Sequence, residues 1–225
     1  NRGKYVNMLT LPNILTTIRL IAAPMVALMF LYFSRPYADW AALILFVGAA
    51  LTDWLDGFLA RAWKQESKLG RMLDPIADKA MVVIALLVLT GIFGLNPFIL
   101  LPAVVIIFRE IFVSGLREFM GDIAISLDVT KLAKWKTTVQ MLAIALLFAV
   151  GIFEFCLEIG PLQNGASSML DTSFSYAKIF TDYGFCYVGM YSFWYGGVLL
   201  LWTAAGLTLI TGVDYFRKSL PYLSD

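Results

Sequence analysis

Apolar residues along this chain come in long runs broken by short polar stretches, not in the alternating or one-faced patterns of soluble elements. Six runs approach twenty residues, the length at which an α-helix crosses the hydrocarbon core of a bilayer. They lie near residues 14–33, 39–60, 73–94, 98–117, 132–153 and 190–213. The pattern predicts an all-α integral membrane protein, one domain over residues 1–225 with six transmembrane helices. The first run is too long, and too poor in small residues at its end, for a cleaved signal peptide. Pro24 is expected to kink it. Met8 would also make a sensible start, which leaves the origin of residues 1–7 open. The one long connection, 154–189, is rich in Ser, Gly and aromatics and is expected as an extended loop on the non-cytoplasmic side. No repeat or low-complexity tract interrupts the pattern.

Composition agrees: 60% of the 225 residues are hydrophobic and 15% charged, where soluble domains sit near a quarter charged. A net charge of +1 argues against nucleic acid as a partner. Histidine is absent, so any catalysis must run on carboxylates, lysine or arginine. Basic residues set the orientation. One side holds Arg2, Lys4, Arg61, Lys64, Lys68, Arg71, Arg117, Lys131, Lys134, Lys136, Arg217 and Lys218, and the other only Arg35 and Lys178. Twelve against two places both termini in the cytoplasm. Cys156 and Cys186 then fall near the non-cytoplasmic side, where a disulfide and two buried thiols both fit.

The informative charges are those at membrane depth, which are expensive and mark functional sites by default. The segment 52–80 reads TDWLDGFLARAWKQESKLGRMLDPIADKA. Asp53 and Asp56 are three apart on the second span, and Asp74 and Asp78 four apart on the third, so each pair shares a helix face. About eleven residues of polar turn separate the spans. All four carboxylates therefore fall within about 12 Å of the cytoplasmic ends at 1.5 Å per residue. Four converging carboxylates need counter-charge to stay ionised together. Lys79 and Arg61 would supply part of it. Oxygen-only ligands without His or Cys point to magnesium or manganese, and two such ions suit phosphoryl displacement. An ion-pair network or a cation pathway fits the acids equally well. Gly57 and Ala60 leave backbone open to a ligand, or merely serve helix packing. Gly70 could supply a positive φ, and Asp74-Pro75 a helix start.

Together these residues spell D-x2-D-G-x2-A-R-x8-G-x3-D-x3-D, at Asp53, Asp56, Gly57, Ala60, Arg61, Gly70, Asp74 and Asp78. Chance would produce those eight positions about once in 10^10 starting points at average residue usage. By this motif the chain resembles the CDP-alcohol phosphotransferase family. The resemblance implies a six-helix membrane fold, dimeric, with its site open to the cytoplasm, in a plasma membrane such as a bacterial inner membrane. It implies that Asp53, Asp56, Asp74 and Asp78 hold two divalent cations, Mg2+ or Mn2+, with Asp78 the general base. It also implies CDP contacts from Pro12, Asn13, Thr16, Gly57, Ala60, Arg61, Ser67 and Gly70. The stretches LPNILTTIRL (11–20), DPIADK (74–79), REIFVSGLRE (109–118) and KWKTTVQ (134–140) are similar to phosphatidylglycerophosphate synthases. That likeness implies CDP-diacylglycerol as donor and glycerol 3-phosphate as acceptor. Arg117 would then carry the acceptor phosphate, helped by Arg109, Lys134 and Lys136. A cardiolipin synthase is the rival within the family; a divalent-cation transporter, the rival outside it, leaves Gly57, Ala60, Arg61 and Gly70 unexplained.

Overall fold

The computed structural model describes residues 11–63, 68–121, 131–164 and 172–222. Among them the chain is helical, without strands: α1 Leu11–Tyr32, α2 Tyr37–Trp63, α3 Lys68–Ile92, α4 Pro97–Met120, α5 Lys131–Asn164 and α6 Thr172–Ser219, ending in a short turn of 3-10 helix at Leu220–Tyr222. Five stretches are long and apolar enough to span: Asn13–Tyr32, Met72–Ile92, Pro97–Met120, Trp135–Glu158 and Gly184–Tyr222, with a shorter apolar stretch at Tyr37–Thr52 in α2. Ile21, Ile44, Leu87, Phe108, Leu142 and Leu199 remain exposed on their helices. Apolar side chains facing outward suit lipid as solvent, since a helix satisfies its own backbone and needs no polar face there. This is an integral membrane fold.

The expected loop at 154–189 is not what forms. α5 continues to Asn164 and α6 begins at Thr172, so helix replaces most of that connection. Hydropathy reports where lipid contact stops, whereas a helix continues until its backbone bonds have no next partner. At 48 residues, α6 is about 72 Å long at 1.5 Å per residue, well beyond a hydrocarbon core. A second difference lies in α3. Its helix starts at Lys68, six residues before Asp74, so Asp74 is no N-cap and Pro75 sits inside the helix. Gly70 lies within that first helical stretch, while the glycines with positive φ are Gly94 and Gly121 among the described residues. The purely local explanations of Asp74 and Gly70 thereby fall away.

The helices divide into two compact units. The first takes Asn1–Ala85 and Ala145–Gly196. In it, Phe148 stacks on Phe30 at 6.1 Å and meets the edge of Phe46 at 6.0 Å between centroids. Ala23, Ala38 and Ala42 are fully buried, small residues that let helices approach closely in lipid. Beyond Tyr32, Arg35 binds buried Asp39 through two hydrogen bonds of 2.9 Å and reaches Glu154 on α5 at 3.1 Å. Burial works against the charge of Arg35, but Asp39 and Glu154 together raise its pKa above the ordinary value. Cys156 and Cys186 form a disulfide tying α5 to α6, with Cα atoms 6.1 Å apart. Beside it, Phe153 packs between Phe185 and Phe193, at 6.0 and 5.0 Å.

The second unit takes Leu86–Ile144 and Gly197–Asp225. Asn96 caps α4, its side chain accepting from the Phe98 N–H at 2.9 Å, with Pro97 in the first turn where no N–H is needed. At the other end Gly121 takes φ 51°, and its N–H closes on the Arg117 carbonyl, a turn that glycine makes without a Cβ clash. Phe112 packs on Phe216 at 5.6 Å, and Trp202 Nε1 donates to the Phe98 carbonyl at 3.1 Å.

Candidate active site

In the first unit, α1 and α3 are joined by two polar rungs. Thr16 Oγ1 donates to Asp74 Oδ1 at 2.5 Å, and Arg19 Nη1 pairs with Asp78 Oδ1. The spacing explains the match: Thr16 and Arg19 are three apart and Asp74 and Asp78 four apart, so both rungs lie on facing stripes one helical turn apart. Thr16 and Asn13 are buried beside them. Arg19 keeps 2% of its side-chain surface while Asp78 keeps 42%. The guanidinium is thus the inner partner and the carboxylate the outer, still reachable by a ligand.

A guanidinium within a membrane helix costs about 3 kcal/mol on insertion scales and persists when paired. The acid motif does not reach Arg19; a charge inside the first apolar run is the signal that finds it. Asp74 and Asp78 present carboxylate oxygens one turn apart, hard donors of the kind that magnesium and manganese take. Asp53 and Asp56 are on the helical stretch of α2, but their side chains lie outside the described residues, as do those of Gly57, Ala60, Arg61 and Pro12; Ser67 lies outside altogether. Among the described residues no three His, Cys, Asp or Glu side chains gather as a metal group. The described half of the acid set, all oxygen and partly exposed, fits the implied ions.

The second unit holds the basic candidates. Lys136 Nζ on α5 pairs with Glu110 Oε1 on α4. Arg109 Nη1 reaches the same oxygen at 3.4 Å, and its Nη2 donates to Thr211 Oγ1 on α6 at 3.2 Å. A Cβ at Gly212 would stand 3.0 Å from Arg109 Cγ, so the absence of one lets the arginine lie along α6. Arg117 is exposed instead, its guanidinium 5.5 Å from the centre of the Tyr215 ring, a cation–π contact worth about 0.5–1 kcal/mol at an exposed site. The Lys134 side chain lies outside the described residues. Arg109 and Lys136 are therefore brought together on Glu110, and Arg117 lies over Tyr215. Glu110, at the centre of the pair, is likewise outside the motif; a carboxylate beside Arg109 in an apolar run is its signal.

A family model described as CDP-alcohol phosphatidyltransferase matches residues 9–210. A protein of Cereibacter sphaeroides named CDP-diacylglycerol–glycerol-3-phosphate 3-phosphatidyltransferase is 58% identical over 219 residues, 96% of this chain and 98% of that protein. A protein of Rickettsia bellii with the same name is 34% identical over 212 residues, covering 94% and 96%. One from Escherichia coli K12, again so named, is 42% identical over 137 residues, covering 60% and 74%. Matched by the family model over residues 9–210 and by a relative 58% identical along nearly all its length, the chain belongs to the CDP-alcohol phosphatidyltransferase family.

Proposed function

We propose that this transferase moves a phosphatidyl group from CDP-diacylglycerol to glycerol 3-phosphate, giving phosphatidylglycerophosphate and CMP. The observation that carries the reading is the pair of partly exposed carboxylates, Asp74 and Asp78, steadied from α1 by Thr16 and Arg19. The name shared by the three relatives supports the choice of substrates. Two divalent cations, magnesium or manganese, would be held by Asp53, Asp56, Asp74 and Asp78 and would supply neutralisation of diphosphate charge. Asp78 takes the proton from the acceptor hydroxyl. The oxygen attacks the lipid-side phosphorus in line, and the bridging oxygen leaves with CMP. Asn13 and Thr16 close over the nucleotide with Pro12, and Gly57, Ala60, Arg61, Ser67 and Gly70 form its other walls. Arg109, Arg117, Lys134 and Lys136 receive the acceptor phosphate, and the enzyme works as a homodimer. A site at bilayer depth suits one substrate that stays in lipid and another that stays out of it.

Purified protein given CDP-diacylglycerol with glycerol 3-phosphate, phosphatidylglycerol, serine or inositol phosphate is expected to release CMP fastest with glycerol 3-phosphate. EDTA should stop that release, and magnesium or manganese restore it. Preference for phosphatidylglycerol would make the protein a cardiolipin synthase instead, and full activity in chelator would remove the metals from the reading.

Both termini and the acid site face the cytoplasm in this reading. The Cys156–Cys186 disulfide supports it, because disulfides persist on the oxidising side of such a membrane. In intact cells, an impermeant reductant followed by an impermeant maleimide should label both cysteines. Labelling that appears only after lysis would reverse the orientation.

A further inference from the structure

Two cations share one carboxylate in the second unit. Glu110 Oε1 takes Lys136 Nζ and lies 3.4 Å from Arg109 Nη1. The three side chains keep 13%, 7% and 15% of their surface, for Glu110, Lys136 and Arg109 in turn. Both cations thus meet one carboxylate oxygen in a place with little water to screen them. Further polar atoms lie one turn away along the same helices. Gln140, one turn beyond Lys136 on α5, has its buried Oε1 without a hydrogen-bond partner. So do Thr208 Oγ1, one turn from Thr211 on α6, and Arg109 Nε itself. Gln140 and Thr208 are 3% and 0% exposed. Buried polar atoms are ordinarily paired. Of these atoms, the Arg109 Nε–H and the Thr208 hydroxyl can donate to an anion, whereas the Gln140 oxygen can only accept.

We propose that Glu110 is a built-in counter-anion: it holds Arg109 and Lys136 together while no acceptor is bound, and the phosphoryl group of the acceptor displaces it from both cations. The proposal rests on the reading of Arg109 and Lys136 as acceptor-phosphate residues and adds what keeps them in place between turnovers. Two cations drawn to one oxygen would repel without it, so the carboxylate keeps both turned towards a single acceptor, the role a phosphate oxygen can take over. It also sets a threshold. An anion must outcompete a tethered carboxylate, which favours a dianionic phosphate over the monoanions of the cytoplasm. The other account of the same geometry is a staple between α4 and α5, whose loss would loosen the unit and weaken every ligand.

The test uses the full-length enzyme, with inorganic phosphate as a competitor of glycerol 3-phosphate. Removing the tethered anion with Glu110→Gln is expected to lower the Ki of inorganic phosphate about tenfold, as a competing bound state is taken away. The KM for glycerol 3-phosphate should fall with it, while that for CDP-diacylglycerol stays. A Ki in Glu110→Gln that is unchanged or raised, with Lys136→Gln raising it too, would make Glu110 a staple and leave the acceptor reading standing. A wild-type Ki in both Lys136→Gln and Arg109→Gln would remove the acceptor reading and this proposal together. Should Glu110→Gln fail to fold, Glu110→Asp decides. Its shorter arm keeps the charge but cannot bridge both cations, so a Ki lowered a few-fold supports displacement and an unchanged or raised one overturns it.

Discussion

Replacing Asp78 with asparagine is expected to cut CMP release at least about 10³-fold, the range lost with a general base, and to lower thermal stability at the same time. The second effect comes from Arg19. Its guanidinium keeps 2% of its surface, so without the Asp78 carboxylate it is a buried charge losing the partner that the ion pair supplies. Breaking a fully buried pair costs about 3–5 kcal/mol. Asp78 keeps 42% of its side-chain surface, and solvent screening there brings the expectation down to about 2–3 kcal/mol. Activity and stability can be separated by a cycle. Arg19→Met combined with Asp78→Asn should melt above Asp78→Asn alone, since the buried guanidinium goes together with its carboxylate, yet stay inactive. Arg19→Met alone keeps the carboxylate but loses what orients it, so kcat should fall more than the KM for CDP-diacylglycerol rises. Asp78→Asn with wild-type turnover would remove Asp78 as the base. A double variant no more stable than Asp78→Asn would mean the ion pair contributes nothing to folding.

The other large effect is expected at Gly151. A Cβ built there would overlap the Asp39 carboxylate and the Arg35 guanidinium. Asp39 is 1% exposed and fixed by two bonds to Arg35, so it cannot simply swing away. Gly151→Ala must push α5 outward or break that pair, and about 3 kcal/mol is a reasonable cost for overpacking at a buried ion pair. At roughly 2–4 °C per kcal/mol for chains of this size, the melting temperature should drop on the order of 10 °C. Gly48→Ala and Gly196→Ala are the controls, because nothing lies within 4 Å of a Cβ at Gly48 and only Leu146 Cδ1, at 3.8 Å, at Gly196. Both sit inside helices, where alanine is the better helix former, so neither should lower the melting temperature. A Gly151→Ala protein that melts with the wild type would show that the Arg35–Asp39–Glu154 cluster yields easily.

What the sequence determined by itself was whatever depends on local composition. A bilayer asks only for about twenty apolar residues per crossing, so the six helices could be read from their runs, and acids stood out within those runs because lipid penalises them. Gly57, Ala60, Arg61 and Gly70 reached further only because their fixed spacing resembled a family. The length of α5 and α6 was not legible. Hydropathy falls off near residue 153, while the helix is carried on past it to Asn164. Partners were decided in three dimensions. Fifty-nine residues separate Arg19 from Asp78, and nothing in either segment names the other; Lys79 and Arg61 were as plausible as counter-charges. Cys156 and Cys186 could have been a bond or two thiols until α5 and α6 brought their Cα atoms to 6.1 Å. Arg109 and Lys136 stood out as helpers at an acceptor phosphate, but that they share the Glu110 carboxylate was set by packing. Each of these turns on which helix faces which, and in lipid that choice follows from small residues, buried charges and close packing, none of which a run of apolar letters records.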